Sequence, residues 1–178
     1  MHNFVNTNFN KNQISIMDKR EILNKKILSP EDMGRMVAFW HFKNKSISLA
    51  YGTFDVMKPG TIEMIIQAAN KGDVLLVAIK PDDLVAKHKG AGNPKNQQSN
   101  RALTIAAQML VSGVYIVEEE SPSKLVEQVR PAAITACKHA TEREIKAFEQ
   151  VKEWEGDVFI VDTDEPVDPK SNNSCCCE

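Results

Sequence analysis

A chain of 178 residues with 42% hydrophobic content is long enough for one domain with a buried core. A formal net charge of −2 argues against nucleic acid or an anionic membrane as the main partner, and no apolar run reaches the length of a bilayer span or of a signal region. Four cysteines, three of them adjacent at Cys175, Cys176 and Cys177, suggest no disulfide framework, so a cytoplasmic protein is the default expectation.

Residues 1–17 are rich in asparagine and poor in helix formers, and are expected to be a disordered leader. A helical preamble is expected over 18–45. It begins with a short charged helix over 18–28 and continues with a second helix opened by Ser29-Pro30-Glu31-Asp32: an N-cap, a proline at the first helical position and acidic residues in the first turn. Met33, Met36, Val37 and Trp40 follow at helical spacing, which points to packing on the core or on a sister subunit rather than to a ligand.

From residue 46 to 162 strand and helix patterns alternate. Strands are expected at 47–50, 74–79, 114–117, 133–136 and 158–161, and helices at 62–70, 81–87, 99–111, 121–129 and 141–154. Thr141 and Glu144 have the spacing of a capping box. This alternation predicts an α/β, Rossmann-like, doubly wound five-stranded parallel sheet, with 47–50 central and ligands beyond the carboxyl ends of the strands. After Asp162 the patterns stop, and 163–178 is expected to be a disordered tail.

The junction after the first core strand carries the most specific signal. Gly52-Thr53-Phe54-Asp55, then Lys58, Gly60 and Thr61, form a glycine-punctuated turn ending at a helix start, where backbone N–H groups and the helix dipole can face a phosphate. This stretch resembles the first motif of the cytidylyltransferase-like nucleotidyltransferases, G-[TC]-F-D-x-x-H-x-G-H. Among these it is most similar to the heptose-1-phosphate adenylyltransferases of ADP-heptose synthesis, with glycerol-3-phosphate cytidylyltransferases next. Lys58 and Thr61 stand where the family has its two histidines.

The resemblance covers roughly residues 20–162 and implies the strand order 3-2-1-4-5. It implies further binding residues at Asp82, Lys89 and Arg101, for Asp82 and Lys89-Gly90 match the family's second segment, and Pro94, Asn96 and Arg101 match the next. A solvated basic face is the competing reading of Lys87, Lys89 and Arg101. His88 reads as an exposed loop residue, His41 and His139 as isolated ones, and no metal site is expected. Two family elements are absent: the glycine-rich closure, replaced by Ala136-Cys137-Lys138-His139-Ala140, and the late Ser/Thr turn, replaced by Asp162-Thr163-Asp164-Glu165.

In such enzymes the two histidines donate to the phosphates as charge builds in the transition state. The resemblance therefore implies a nucleotidyltransferase-like protein with Lys58 and Thr61 at degenerate catalytic positions. Gly52, Thr53, Phe54, Asp55, Gly60, Asp82, Lys89 and Arg101 are then the nucleotide- or phosphate-binding residues. The leading expectation is a pseudoenzyme that keeps nucleotide or sugar-phosphate binding. An active transferase using Lys58, with magnesium and ATP or CTP, is the first alternative. A ligand-free scaffold, dimerising through the sheet edge or the preamble helix, is the second.

Overall fold

The computed structural model describes residues 18–164. The leader expected over 1–17, the cysteines at 175–177, and the tail from Glu165 onward lie outside the described residues.

The preamble opens with helix α1 (Lys19–Lys26), whose first turn is capped by the Asp18 carboxylate accepting from the Arg20 N–H at 3.1 Å. The helix expected to run on to residue 28 stops at Lys26. Ile27–Leu28 instead form strand β1, paired parallel with the later strand β4 (Gly113–Ile116). Helix α2 (Pro30–Phe42) starts as its sequence predicts, with Ser29 Oγ accepting from the Asp32 N–H at 3.1 Å. Met33, Val37 and Trp40 are buried in the core.

The remaining elements alternate. Strand β2 (Ile47–Gly52) leads to α3 (Pro59–Ala69), β3 (Val74–Ile79) to α4 (Asp82–Lys89) and α5 (Gln98–Ala106), and β4 to α6 (Ser123–Val129). Strand β5 (Ala133–Cys137) leads to α7 (Glu142–Phe148), a 3-10 turn at Glu149–Trp154, and β6 (Asp157–Val161). The expected capping box is present: Thr141 Oγ1 accepts from Glu144 N–H at 3.3 Å and Glu144 Oε2 from Thr141 N–H at 2.9 Å.

All pairs in the sheet are parallel, in the order β1-β4-β3-β2-β5-β6. The five strands read from the sequence keep the implied order. The correction is the sixth strand at the β4 edge. Two residues are too few for periodicity to reveal, and the pairing needs a distant partner: a Cβ at Gly113 would lie 3.0 Å from Leu28 Cδ1, so this glycine makes room for the added strand.

Strand β2 is central and buried along its whole length, as expected of a strand covered on both faces. On one face Tyr51, Leu76 and Ile134 pack with α2, α6 and α7 through Trp40, Val126 and Phe148; on the other, Ala50, Val77 and Ile79 pack with α3 and α5 through Met64, Ala68 and Ile105. Among the described residues no helix is long and apolar enough to cross a membrane.

Candidate functional site

The site is built where β2 ends. Gly52 lets the ring of Phe54 fold back over the turn, since a Cβ there would stand 3.2 Å from Phe54 Cε2. Phe54 itself takes a positive φ of 53° and is buried, a conformation that costs a bulky residue about 1–3 kcal/mol and persists only where its surroundings hold it. Four residues on, Lys58 is the N-cap of α3, with its side chain exposed. Pro59 carries no N–H, and the Thr61 and Ile62 amides both return to the Lys58 carbonyl at 2.9 and 3.1 Å. Thr61 is thus inside the first turn and does not cap it.

A cavity of about 280 Å³ opens above this turn, at the carboxyl ends of the strands. Of the residues singled out in the sequence, Gly52, Thr53, Phe54, Asp55, Lys58, Thr61 and Lys89 line it. Gly60 lies behind them, pressed against the backbone of Thr163. Asp82 and Arg101 do not line it; they brace it from below.

Arg101 is buried rather than part of a solvated face. Its guanidinium donates to the carbonyls of Asn96 (3.0 Å), Lys80 (2.8 Å) and Thr53, and to Asp82 Oδ1 (2.6 Å). One side chain thereby ties the turn after β2 to the end of β3 and the start of α5, using the planar fork that suits several acceptors at once. Asp82 completes the brace through a reciprocal pair with Gln98, each backbone N–H donating to the other's side chain at 3.0 Å. Asp55 is turned the same way, accepting from the Lys95 and Asn96 amides at 2.7 and 2.8 Å. Burial pushes the Asp55 carboxyl up, but those donors and the Arg101 charge outweigh it and hold it below the usual aspartate range.

The far wall comes from the two segments that replace the family's glycine-rich closure and late Ser/Thr turn, where the sequence assigned no binding residue. Cys137 at the end of β5, His139 just beyond it, and Thr163 and Asp164 after β6 line the same cavity. Asp164 receives His139 Nε2 at 2.8 Å, Lys138 Nζ at 3.5 Å and Lys58 Nζ at 3.7 Å, while Lys138 Nζ also reaches Asp162 Oδ2 at 2.7 Å. The bond from His139, then the charges of Lys138 and Lys58, hold the Asp164 carboxyl low against its burial; the bond to Asp162 pushes the Lys138 ammonium up. Lys138, His139 and Asp164 are 80 residues or more from Lys58 in the chain, so only the β2–β5–β6 pairing brings them together. Their signal in the sequence was their place at two altered family elements, at the carboxyl ends of β5 and β6.

Behind the site lies a second buried ion pair. Lys80 Nζ meets Glu144 Oε1 at 2.6 Å, with side-chain exposures of 11% and 1%, and Lys80 Nζ stands 5.4 Å from the centre of the Tyr51 ring. Burial, then the Glu144 charge, push the Tyr51 phenol far up. The pair joins the end of β3 to the start of α7 across the central strand. Among the described residues no group of three or more His, Cys, Asp or Glu side chains is arranged to hold a metal ion.

No family model matches the chain. It is 30% identical over 132 residues to the bifunctional protein HldE of Gluconobacter oxydans, covering 74% of this chain and 28% of that protein. It is 32% identical over 136 residues to HldE of Koribacter versatilis, covering 76% and 28%. The chain therefore spans little more than a quarter of the length of these relatives. The lipopolysaccharide core biosynthesis protein of Thermoplasma volcanium superposes with a TM-score of 0.55 at 22% identity, over 65% of this chain and 93% of that one. Pantoate-beta-alanine ligase of Francisella tularensis, solved with Beta-gamma ATP and Beta-alanine, superposes with a TM-score of 0.53 at 13% identity, over 80% and 68%. The two structures share the fold, and the resemblance to nucleotidyltransferases read from the 52–61 turn extends to three quarters of the chain through its HldE relatives.

Proposed function

We propose that this nucleotidyltransferase-like chain binds a nucleotide or sugar phosphate above the 52–61 turn and has lost most or all transferase activity. The observation that carries the reading is the cavity itself. The turn that resembles the family's phosphate motif opens at the carboxyl end of the central strand, and Lys58, Lys89 and His139 border it. The relatives named HldE and the ligase solved with an ATP analogue support a phosphate-bearing ligand.

Loss of activity follows from what the site offers to a reacting triphosphate. Each missing preorganised donor costs about 2.7–4 kcal/mol of transition-state stabilisation. Lys58 supplies a cation on a long, exposed stem, and the Thr61 amide is engaged within the helix start. Asp162 and Asp164 bring negative charge to the wall where a triphosphate would add more. Magnesium enters only as the companion of a triphosphate, held by its phosphate oxygens. The convergence of Lys58, Lys138 and His139 favours one second reading, an active transferase in which these side chains replace the lost histidines. A cytoplasmic setting and a homodimer are consistent with either reading.

Thermal-shift and calorimetric titration with ATP, CTP, heptose-1-phosphate and glycerol-3-phosphate, paired with an assay for pyrophosphate release, tests this. Binding without turnover is the expected result. Robust turnover that collapses on Lys58→Ala supports the second reading, and no binding by any of these ligands leaves a scaffold.

A further inference from the structure

The segment after β6 does more than border the cavity. The chain passes so closely over the first turn of α3 that a Cβ at Gly60 would stand 2.3 Å from the Thr163 carbonyl oxygen, closer than any real contact. Only glycine at that position lets the backbone lie there. The next residue, Asp164, then places its carboxylate among three nitrogen groups: the ammonium of Lys58 at the start of α3, and the Lys138 ammonium and His139 ring just after β5. The turn that presents it is fixed by its own hydrogen bond, with Asp164 N–H donating to Asp162 Oδ1 at 3.0 Å, while the other oxygen of Asp162 takes Lys138.

We propose that Asp164 is a resident anion of this site: its carboxylate stands where a ligand phosphate is received, so ligand binding displaces Asp164 and lifts the 163–164 segment from Gly60. This rests on the reading that the cavity takes a phosphate. The arrangement suits a displaceable group rather than a permanent brace. The Asp164 side chain is 45% exposed, and exposed ion pairs contribute little net stability, so releasing it costs little. A phosphate brings more charge and more acceptor oxygens to the same three donors. The apparent affinity is then the intrinsic affinity reduced by the fraction of molecules whose carboxylate has already left. The device couples occupancy of the cavity to the position of the chain beyond β6, on which the tail continues.

The test is calorimetric titration of inorganic pyrophosphate at low salt into wild type, Asp164→Asn and the double variant Lys58→Ala/Asp164→Asn, each first checked for an intact melting transition. Asp164→Asn should bind about tenfold tighter than wild type, the size expected when a resident competitor occupies most molecules. The double variant should lose most of that gain. Equal or weaker binding by Asp164→Asn, with wild type still binding, overturns the resident-anion proposal and leaves the phosphate site standing. Absence of binding in both wild type and Asp164→Asn overturns the phosphate site and this proposal together.

Discussion

Replacing Arg101 tests whether the cavity floor is held by one side chain. Arg101→Met keeps the aliphatic length and removes every donor, so the carbonyls of Thr53, Lys80 and Asn96 and the Asp82 carboxylate lose a partner together. Asp82 is 37% exposed on its side chain and recovers water, whereas the Lys80 bond is buried. An unsatisfied buried group costs about 1–3 kcal/mol, and dismantling one side of a buried charged network about 3–5 kcal/mol. Partial rehydration of the loops places the expected loss near ~3–4 kcal/mol, and at roughly 2–4 °C per kcal/mol for a domain of this size the melting temperature falls by about 6–16 °C. Differential scanning calorimetry reads the stability, and a nucleotide titration reads the accompanying loss of affinity as the Phe54 turn relaxes. Arg101→Lys should recover only part of either, because one ammonium cannot serve four acceptors arranged for a fork. A melting temperature within about 2 °C of wild type for Arg101→Met, or full recovery with lysine, would refute the role of Arg101 as the clamp.

Glu144→Gln keeps the capping bond to the Thr141 N–H but leaves Lys80 without its counter-charge, and should cost up to about 3–5 kcal/mol in urea unfolding. The double change Lys80→Met/Glu144→Gln should restore much of that loss; a double variant no better than the single one argues against an uncompensated charge as the cause. Asp55 has a folded-state pKa below its ordinary value, so its contribution is present at neutral pH and is lost as pH falls through the folded pKa. Urea midpoints measured from neutral pH into the acid range should therefore fall less steeply for Asp55→Asn than for wild type, from a lower starting stability. Restoring both histidines in Lys58→His/Thr61→His should not bring normal pyrophosphate release, because the closure after β5 and the turn after β6 stay altered; recovery to a typical enzyme rate would place the defect in the two histidines alone.

Local chemistry made much of this fold readable. Continuous apolar runs mark β3 at its observed bounds, Ser29 and Thr141 mark helix starts by the hydrogen bonds they go on to make, and the Gly52 turn marks the switch point. What escaped was decided by long-range packing. Ile27–Leu28 carry no pattern of their own and become a strand only because β4 offers an edge with a glycine beneath Leu28. The helix expected over 141–154 tightens into a 3-10 turn at Glu149–Trp154, ending in Glu155 at positive φ beside Gly156, where a Cβ would strike Val151 and the Pro131 carbonyl. Arg101 and Asp82 match binding positions in sequence, yet their side chains face the protein's own loops; composition cannot distinguish an arginine that binds a ligand from one that braces the loop which does. His139 looked isolated because its partner Asp164 lies beyond the carboxyl end of the neighbouring strand β6.

The central claim is that a phosphate is received above the 52–61 turn. The most direct measurement is a crystal structure of the full chain soaked with ATP. The account predicts phosphate density against the Gly52, Thr53 and Phe54 backbone, with Lys58 as a cationic contact and the Asp164 carboxylate moved away. Density only at the amino-terminal ends of the strands, or an unchanged cavity under ATP concentrations that saturate the calorimetric signal, would contradict it.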